Sequence, residues 1–270
     1  SKSDVFSLAN KGVVFNDPEG LSLYTLSDEE IGPIEAIELN NLAADLTDKP
    51  VVFDGYLQES LAVNLSSISG VDLSGIFVRG GNLNNAQMIG IDLTYSDLSD
   101  SKLNGSLLQN SNLNSAKLNY ADLRYANLEK ANLKNVNLQG ANLQNTNLSS
   151  TNLTNVILKS VRSGEILGEP VGLLSPWIFA SGHLVGPYAS LSFANLTNSN
   201  LNGADLTNAN LKYANLTNSE MWYAKLTNSD LSYANLKGIN INHAIFTDAE
   251  LTQVKSGGIK GMAEELPSTW

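Results

Sequence analysis

An apolar residue, most often leucine, stands at every fifth position through two long blocks of the chain. The first block has 18 such positions, from Leu73 to Leu158, and the second has 13, from Leu191 to Leu251. An α-helix repeats near 3.6 residues and a β-strand at 2, so neither keeps residues five apart on one side. The chain must therefore turn within every five-residue unit.

The other positions of the unit show where the turn falls. The residue two before the apolar one is small, as at Ala121 and Ala204, and the two residues after it are polar or glycine. Residues two apart point to one side of a short extended segment, whereas asparagine and glycine tolerate corner conformations. Four units then close one square coil, and stacked coils bury the leucines along the axis. The pattern predicts an all-β solenoid of about eight coils.

Several units share one motif. They include Ala121–Tyr125 (ADLRY), Ala131–Asn135 (ANLKN), Ala204–Asn208 (ADLTN) and Ala214–Asn218 (ANLTN). These units resemble the A(N/D)LXX motif of pentapeptide repeat proteins, and the resemblance covers residues 71–160 and 189–253. It implies a right-handed quadrilateral parallel β-helix. Units around Val78 and Met88 depart from the motif, so atypical first coils are expected there.

Charge separates the N-terminal part from the repeats. The net charge is −11, and residues 1–60 contain 12 acidic and 3 basic side chains. Residues 61–160 contain 6 acidic and 7 basic side chains, so these coils are nearly neutral. Residues 1–60 are therefore expected to form an acidic N-terminal cap that covers the first coil, or an acidic docking module.

Local signals within residues 1–60 differ from one another. Ser27 begins a capping box, and the apolar positions that follow predict a helix near residues 34–46. Alternatively, Ala44–Asp48 (ADLTD) is one isolated repeat unit. The β-branched and aromatic runs Val13–Phe15 and Val51–Phe53 predict short β-segments.

A Gly/Pro-rich insert, residues 161–188, interrupts the five-residue period. Its first part, 161–177, aligns with the C-terminal tail, 254–270, with 8 of 17 positions identical at an offset of 93 residues. Residues 189–253 form the second block of coils. Because the tail stops where the insert would re-enter the coils, we expect either a longer natural protein or a tail that serves as a terminal cap. The insert is expected to pack Trp177 against the coils.

Enzyme signatures are absent from the sequence. There is no cysteine, which excludes disulfides and thiolate chemistry, and the two histidines, His183 and His243, stand in unlike contexts. Two isolated histidines make neither a zinc site nor a catalytic triad. Carboxylates such as Asp92 and Asp97 precede the central leucine, where side chains point outward. We therefore expect no catalytic residues, cofactor or metal.

Residues 20 apart lie on the same corner of neighbouring coils, which brings some aromatic residues together. His243 then follows Tyr223 in one column, and Trp222 stands beside Tyr223. Tyr213 similarly lies next to Tyr233. Two interpretations of Trp222 and Tyr223 are open: either the insert or the tail covers them, or they form a contact site with a partner. The candidate contact residues are Trp222, Tyr223, His243 and, on the insert, Trp177.

The leading functional hypothesis is a non-enzymatic scaffold of bacterial type that binds an unknown protein partner. Some pentapeptide repeat proteins mimic DNA and inhibit DNA gyrase, but the nearly neutral coils disfavour this alternative and nucleic-acid binding. A third hypothesis is a surface or ligand-binding module that uses the exposed aromatics. No apolar run approaches the ~18 residues of a membrane-spanning helix. The sequence does not separate a cytoplasmic location from an exported one, and it leaves the oligomeric state open.

Overall fold

A computed structural model describes residues 13–16, 21–25, 51–53, 73–75 and 78–267. The first three ranges are the strands β1 (Val13–Asn16), β2 (Leu21–Thr25) and β3 (Val51–Phe53). β2 is the central strand, antiparallel to β1 and parallel to β3. This confirms the two predicted β-segments, whereas β2 was not predicted. The predicted helix at 34–46 and the alternative unit at 44–48 lie outside the described residues, and the cap or docking role of this segment stays a prediction.

Each five-residue unit contains one tight turn. In the unit of Leu83, the amide of Ala86 donates to the carbonyl of Leu83 at 3.2 Å. The third turn residue, Asn85, has φ of 59°, and its equivalents throughout the repeats also have positive φ. A left-handed residue at this place is the mark of a type II turn. The corner predicted after each central leucine is therefore confirmed.

The extended parts of successive coils pair in parallel, one coil apart. The amide of Leu83 donates to the carbonyl of Lys102 at 2.7 Å, and the amide of Lys102 donates to the carbonyl of Gly81 at 2.8 Å. The same pattern recurs at 20-residue intervals, as in the bridge between Asn210 and Asp230. Hydrogen bonds between coils thus satisfy the backbone, and the core is formed within each stack.

The residue before each central leucine shapes the turn. In many units its asparagine or aspartate oxygen accepts the amide two residues later, as Asp97 does from Ser99 at 3.1 Å. This bond holds the turn from outside, which explains the preference for Asn or Asp. In one column these side chains also bond to each other: Asn132 donates to Asn112 at 2.9 Å, and Asn152 donates to Asn132 at 3.3 Å. These outward residues are therefore structural.

The described chain forms two compact units. The first comprises the described residues up to Asn142, together with Thr146–Ile157 and Gly168–Gly172. The central residues from Leu83 to Leu153 in this unit are almost fully buried. The small residues that stand two positions before these central residues, such as Ala121, are buried beside them.

The second unit comprises Leu143–Asn145, Leu158–Leu167 and the described residues from Leu173 onward. Its core contains the central residues from Leu191 to Phe246 and the alanines beside them. Leu251, the last central residue, is only half-buried.

The insert forms a β-hairpin in the second unit. Strands β4 (Ile178–Ala180) and β5 (His183–Val185) pair in antiparallel fashion, and the side chains of β5 are buried. Beyond the hairpin the chain returns to the ladder, where Arg162 bridges to Ser190 instead of to a residue 20 positions later. The hairpin thus adds eight residues to one coil, without disturbing the ladder that follows.

The tail repeats the backbone of the insert. Corresponding hydrogen bonds join Asn145 to Gly164 and Gly238 to Gly257, and others join Ser150 to Glu169 and His243 to Met262. Corresponding glycines also share a left-handed conformation, with φ of 70° at Gly168 and 77° at Gly261. The alignment at an offset of 93 residues therefore reflects a shared backbone path. Residues 268–270, including Trp270, lie outside the described residues.

Candidate interaction surface

Trp222, Tyr223 and His243 lie together on one corner of the second unit, here called the aromatic corner. The rings of Tyr223 and His243 stack with centroids 4.8 Å apart and planes 6° apart. Trp222 is 43% exposed and Tyr223 is 59% exposed, and His243 is also exposed. Thus neither the insert nor the described part of the tail covers them. The 20-residue alignment predicted for this column is confirmed, whereas its role as a contact site is untested.

The backbone holds the aromatic corner firmly. The amide of Tyr223 donates to the carbonyl of Asn242 at 3.0 Å. The amide of Trp222 donates to the side-chain oxygen of Asn202 at 2.8 Å, and the carbonyl of Trp222 accepts the amide of Gly203 at 2.7 Å. Each ring therefore projects from a position fixed by bonds to the neighbouring coils.

Trp177 has a different position. It is half-buried and packs against the core of the second unit, and its ring occupies the space that a side chain at residue 186 would need. Gly186 is buried beneath it. The expectation that the insert packs Trp177 against the coils is therefore met, and no described contact joins Trp177 to Trp222 or Tyr223.

A second aromatic column occupies the opposite corner of the same coils. Phe193, Tyr213 and Tyr233 form a continuous stack with centroids 4.8 Å apart at each step. Phe193 is 74% exposed. The 20-residue spacing predicts the pairing of the two tyrosines; the same spacing reaches Phe193, which was not among the predicted residues.

His183 and Asp230 are two of the ionisable groups of the second unit whose pKa values are shifted. Burial lowers the pKa of His183, whose Nδ1 donates to the carbonyl of Ser163 at 3.0 Å. Burial alone would raise the pKa of Asp230, but hydrogen bonds from Ser232 and Lys212 outweigh it and lower that pKa. The Lys212 ammonium lies 3.0 Å from the Asp230 carboxylate. Both groups are used in local contacts that hold the coils.

The histidine and carboxylate side chains of the described residues do not cluster. In the described ranges, no three histidine, aspartate or glutamate residues come together as a possible metal site. His183 is buried on the hairpin and His243 is stacked on Tyr223, so the two histidines lie in different parts of the second unit. Among these residues there is also no helix long and apolar enough to cross a membrane.

Comparison with known families agrees with the coils. The family described as "Pentapeptide repeats" matches eight copies, over residues 66–110, 96–135, 131–162, 189–222 and 223–255. The chain therefore belongs to the pentapeptide repeat family. The fold class expected from the sequence, a right-handed quadrilateral β-helix, is confirmed. No curated protein matches the chain.

Solved structures of the family are also similar to this chain. HetL, a pentapeptide repeat protein involved in heterocyst differentiation regulation in the cyanobacterium Nostoc, is 25% identical; the match covers 84% of this chain and 94% of HetL, with a TM-score of 0.39. A protein of the Arabidopsis thaliana thylakoid lumen is 27% identical over 36% of this chain and 68% of its own, with a TM-score of 0.36. QnrB1, a plasmid-mediated fluoroquinolone resistance protein, is 16% identical; the match covers 70% of this chain and 91% of QnrB1, with a TM-score of 0.32.

Proposed function

We propose that this protein is a non-enzymatic scaffold that binds a protein partner at the aromatic corner. The observation that supports this most directly is the exposure of Trp222 and Tyr223, adjacent on a rigid corner. Tryptophan and tyrosine are the residues that most often dominate binding energy at protein interfaces. The equivalent positions one coil earlier are Asn202 and Gly203, and within residues 189–253 adjacent aromatic residues occur only at this corner.

The rigidity of the corner favours binding. Ordering flexible side chains and loops at an interface costs free energy, which a preorganised surface avoids. Here the amides of Trp222 and Tyr223 are already bonded to neighbouring coils, and Tyr223 is further held by its stack on His243. A partner would therefore meet rings whose positions are set by the fold.

Charge indicates what kind of contact this is. Residues 189–255 contain 5 acidic and 4 basic side chains, so this block has little net charge. Long-range steering between charged surfaces is screened by salt, whereas apolar contact is not. Binding at the aromatic corner should consequently depend little on ionic strength.

Affinity capture with matched variants tests the proposal. The immobilised protein is compared with W222A/Y223A, which removes two exposed rings of the corner, and with Y213A/Y233A, which removes two rings of the opposite column. A partner of the corner should be recovered by the wild type and by Y213A/Y233A, and lost with W222A/Y223A. With that partner purified, truncation of an interface tryptophan should weaken binding by about 2 kcal/mol, roughly 30-fold. Equal affinity of all three proteins for every captured partner would reject the corner as the site.

The DNA-mimic alternative has weaker support. Mimicry of a duplex needs an acidic surface along the coils, but the two blocks carry nearly equal numbers of acidic and basic side chains. A gyrase supercoiling assay with the purified chain separates the two functions. Inhibition that persists in W222A/Y223A would favour the mimic over the protein-binding corner.

A further inference from the structure

The column of Tyr223 is incomplete on one side. One coil before Tyr223, the same corner position is Gly203, with φ of +68°. A Cβ placed on Gly203 would have no described atom within 4 Å. On the other side Tyr223 stacks on His243. One face of the Tyr223 ring thus borders a space that a side chain at residue 203 would otherwise fill.

Open space is not the rule for glycines at these corners. The corresponding space at Gly140 is filled by the ring of Tyr120, and the one at Gly238 is filled by the amide of Asn218. In both cases the side chain comes from the preceding coil. Gly203 has no such neighbour among the described residues: His183, 20 positions before it, lies on the hairpin and is buried.

The opposite corner shows what fits such a space. There the same three coils carry Phe193, Tyr213 and Tyr233, and Phe193 holds the position that Gly203 holds in the Tyr223 column. Phe193 stacks on Tyr213 with centroids 4.8 Å apart and planes 5° apart. An aromatic ring placed one coil before a tyrosine therefore stacks on it almost parallel in this fold. The chain itself supplies the precedent for the missing ring.

We propose that the space over Gly203 receives an aromatic side chain of the protein partner, which stacks on the face of Tyr223 that no described ring covers and lengthens the Tyr223–His243 stack by one ring. This inference rests on the proposed function, since it names what the partner inserts at the aromatic corner. The floor of the space is backbone already used in the ladder, where the Gly203 amide donates to the Trp222 carbonyl. The floor therefore offers no free amide from Gly203, and the flat ring of Tyr223 selects a flat group.

A peptide titration followed by NMR tests the preference for an aromatic ring. The full chain, labelled with 15N, is titrated with a short Gly-rich peptide that contains one tyrosine, with its leucine analogue, and with cellobiose. We expect the tyrosine peptide to produce a saturable ring-current shift of the Gly203 amide at millimolar concentration, at least tenfold stronger in affinity than the leucine analogue. Absence of this shift, an equal response to leucine, or stronger binding of cellobiose would overturn the proposal.

Filling the space from within gives an independent test. G203Y keeps Trp222, Tyr223 and His243 but supplies the missing ring, and the fold tolerates tyrosine there, because Tyr213, Tyr223 and Tyr233 have φ of 59°, 57° and 64° at the same position. We expect G203Y to abolish the saturable binding of the tyrosine peptide. The matched control is G80Y, because Gly80 is also left-handed and has no described atom within 4 Å of an added Cβ, but is followed one coil later by Asp100. G80Y should bind as the wild type does, and unchanged binding by G203Y would contradict the proposal.

The captured partner distinguishes this inference from the function on which it rests. Loss of the partner with both W222A/Y223A and G203Y supports both. Loss with W222A/Y223A but not with G203Y leaves the protein-binding corner standing and overturns ring insertion. Retention by both variants overturns both.

Discussion

Replacement of one axial leucine in the second unit, Leu216→Ala, tests the central claim about the repeat. Leu216 is fully buried, and so are Leu196 and Leu236, one coil before and one coil after it in the same column. Its amide donates to the carbonyl of Asn235 at 2.9 Å, and its carbonyl accepts the amide of Ser219 at 3.0 Å. The substitution changes none of these backbone bonds, so it isolates the contribution of the side chain.

The expected cost follows from how well the cavity can collapse. Leucine-to-alanine changes in protein cores cost about 2.7–5 kcal/mol, and the larger values occur where the surroundings cannot move in. Here the hydrogen-bonded ladder fixes the spacing of the coils, so the leucines above and below cannot approach. We therefore expect Leu216→Ala to lower the free energy of unfolding by about 4–5 kcal/mol, the upper part of that range.

Leu251→Ala is the matched control. Leu251 holds the same place in its unit but is only half-buried, so less apolar surface leaves contact. Its loss should cost about 1–2 kcal/mol, below the value for a fully buried leucine. Urea unfolding followed by circular dichroism measures both, with the slope of the transition checked for loss of two-state behaviour. A cost below about 1 kcal/mol for Leu216→Ala, or equal costs for the two variants, would refute the axial role of the period.

Three further predictions rest on single contacts. Because burial lowers the pKa of His183 from 6.5, the unfolded chain binds more protons below that pH, so stability should be complete above pH 6.5 and fall as the pH drops towards the folded pKa. Urea titrations above and below that pH should show this loss, and His183→Asn should flatten it; an unchanged slope would exclude His183 as its source. Asn132→Ala removes the side-chain bonds that join Asn132 to Asn112 and Asn152, and should lower the free energy of unfolding in urea by about 1–3 kcal/mol. A neutral result would show that these bonds do not stabilise the coils. Gly186→Ala forces a methyl group into the ring of Trp177 and should cost about 1–3 kcal/mol, and a double-mutant cycle with Trp177→Ala should show partial relief; strictly additive costs would argue against the contact.

The coils could be predicted because every unit repeats the same two demands. An apolar side chain must reach the axis, and the chain must turn before the next one, so the five-residue spacing at positions such as Leu83 and Leu103 carries the whole architecture. The 20-residue alignment of Tyr223 with His243 follows from the same rule. The turn-holding bonds, such as that from the Ser99 amide to Asp97, explain the preference for Asn or Asp before the central leucine, where the sequence pattern indicates only an outward side chain.

The insert could not be predicted in the same way, since it repeats only once. Its hairpin depends on pairing between Ile178–Ala180 and His183–Val185 and on burial of His183. No repeat in the sequence predicts either feature. The position of Trp177 likewise follows from the path of the insert, because its ring needs the absence of a side chain at Gly186. Strand β2 was not predicted, although Leu21, Ser22 and Leu23 alternate apolar and polar side chains as a strand does.

The left-handed corner position connects the stability of this fold with its candidate function. Non-glycine residues are disfavoured there by roughly 1–2 kcal/mol, and asparagine suffers less than larger side chains. A stacked aromatic pair stabilises the fold by about 0.5–1.5 kcal/mol, which offsets this conformational cost where rings stack in successive coils. The column of Phe193, Tyr213 and Tyr233 has two such stacks for its three rings, whereas Tyr223 stacks, among the described residues, on His243 alone. A ring supplied by a partner would give Tyr223 a second stack, so stability within the coils and binding at the corner draw on the same interaction.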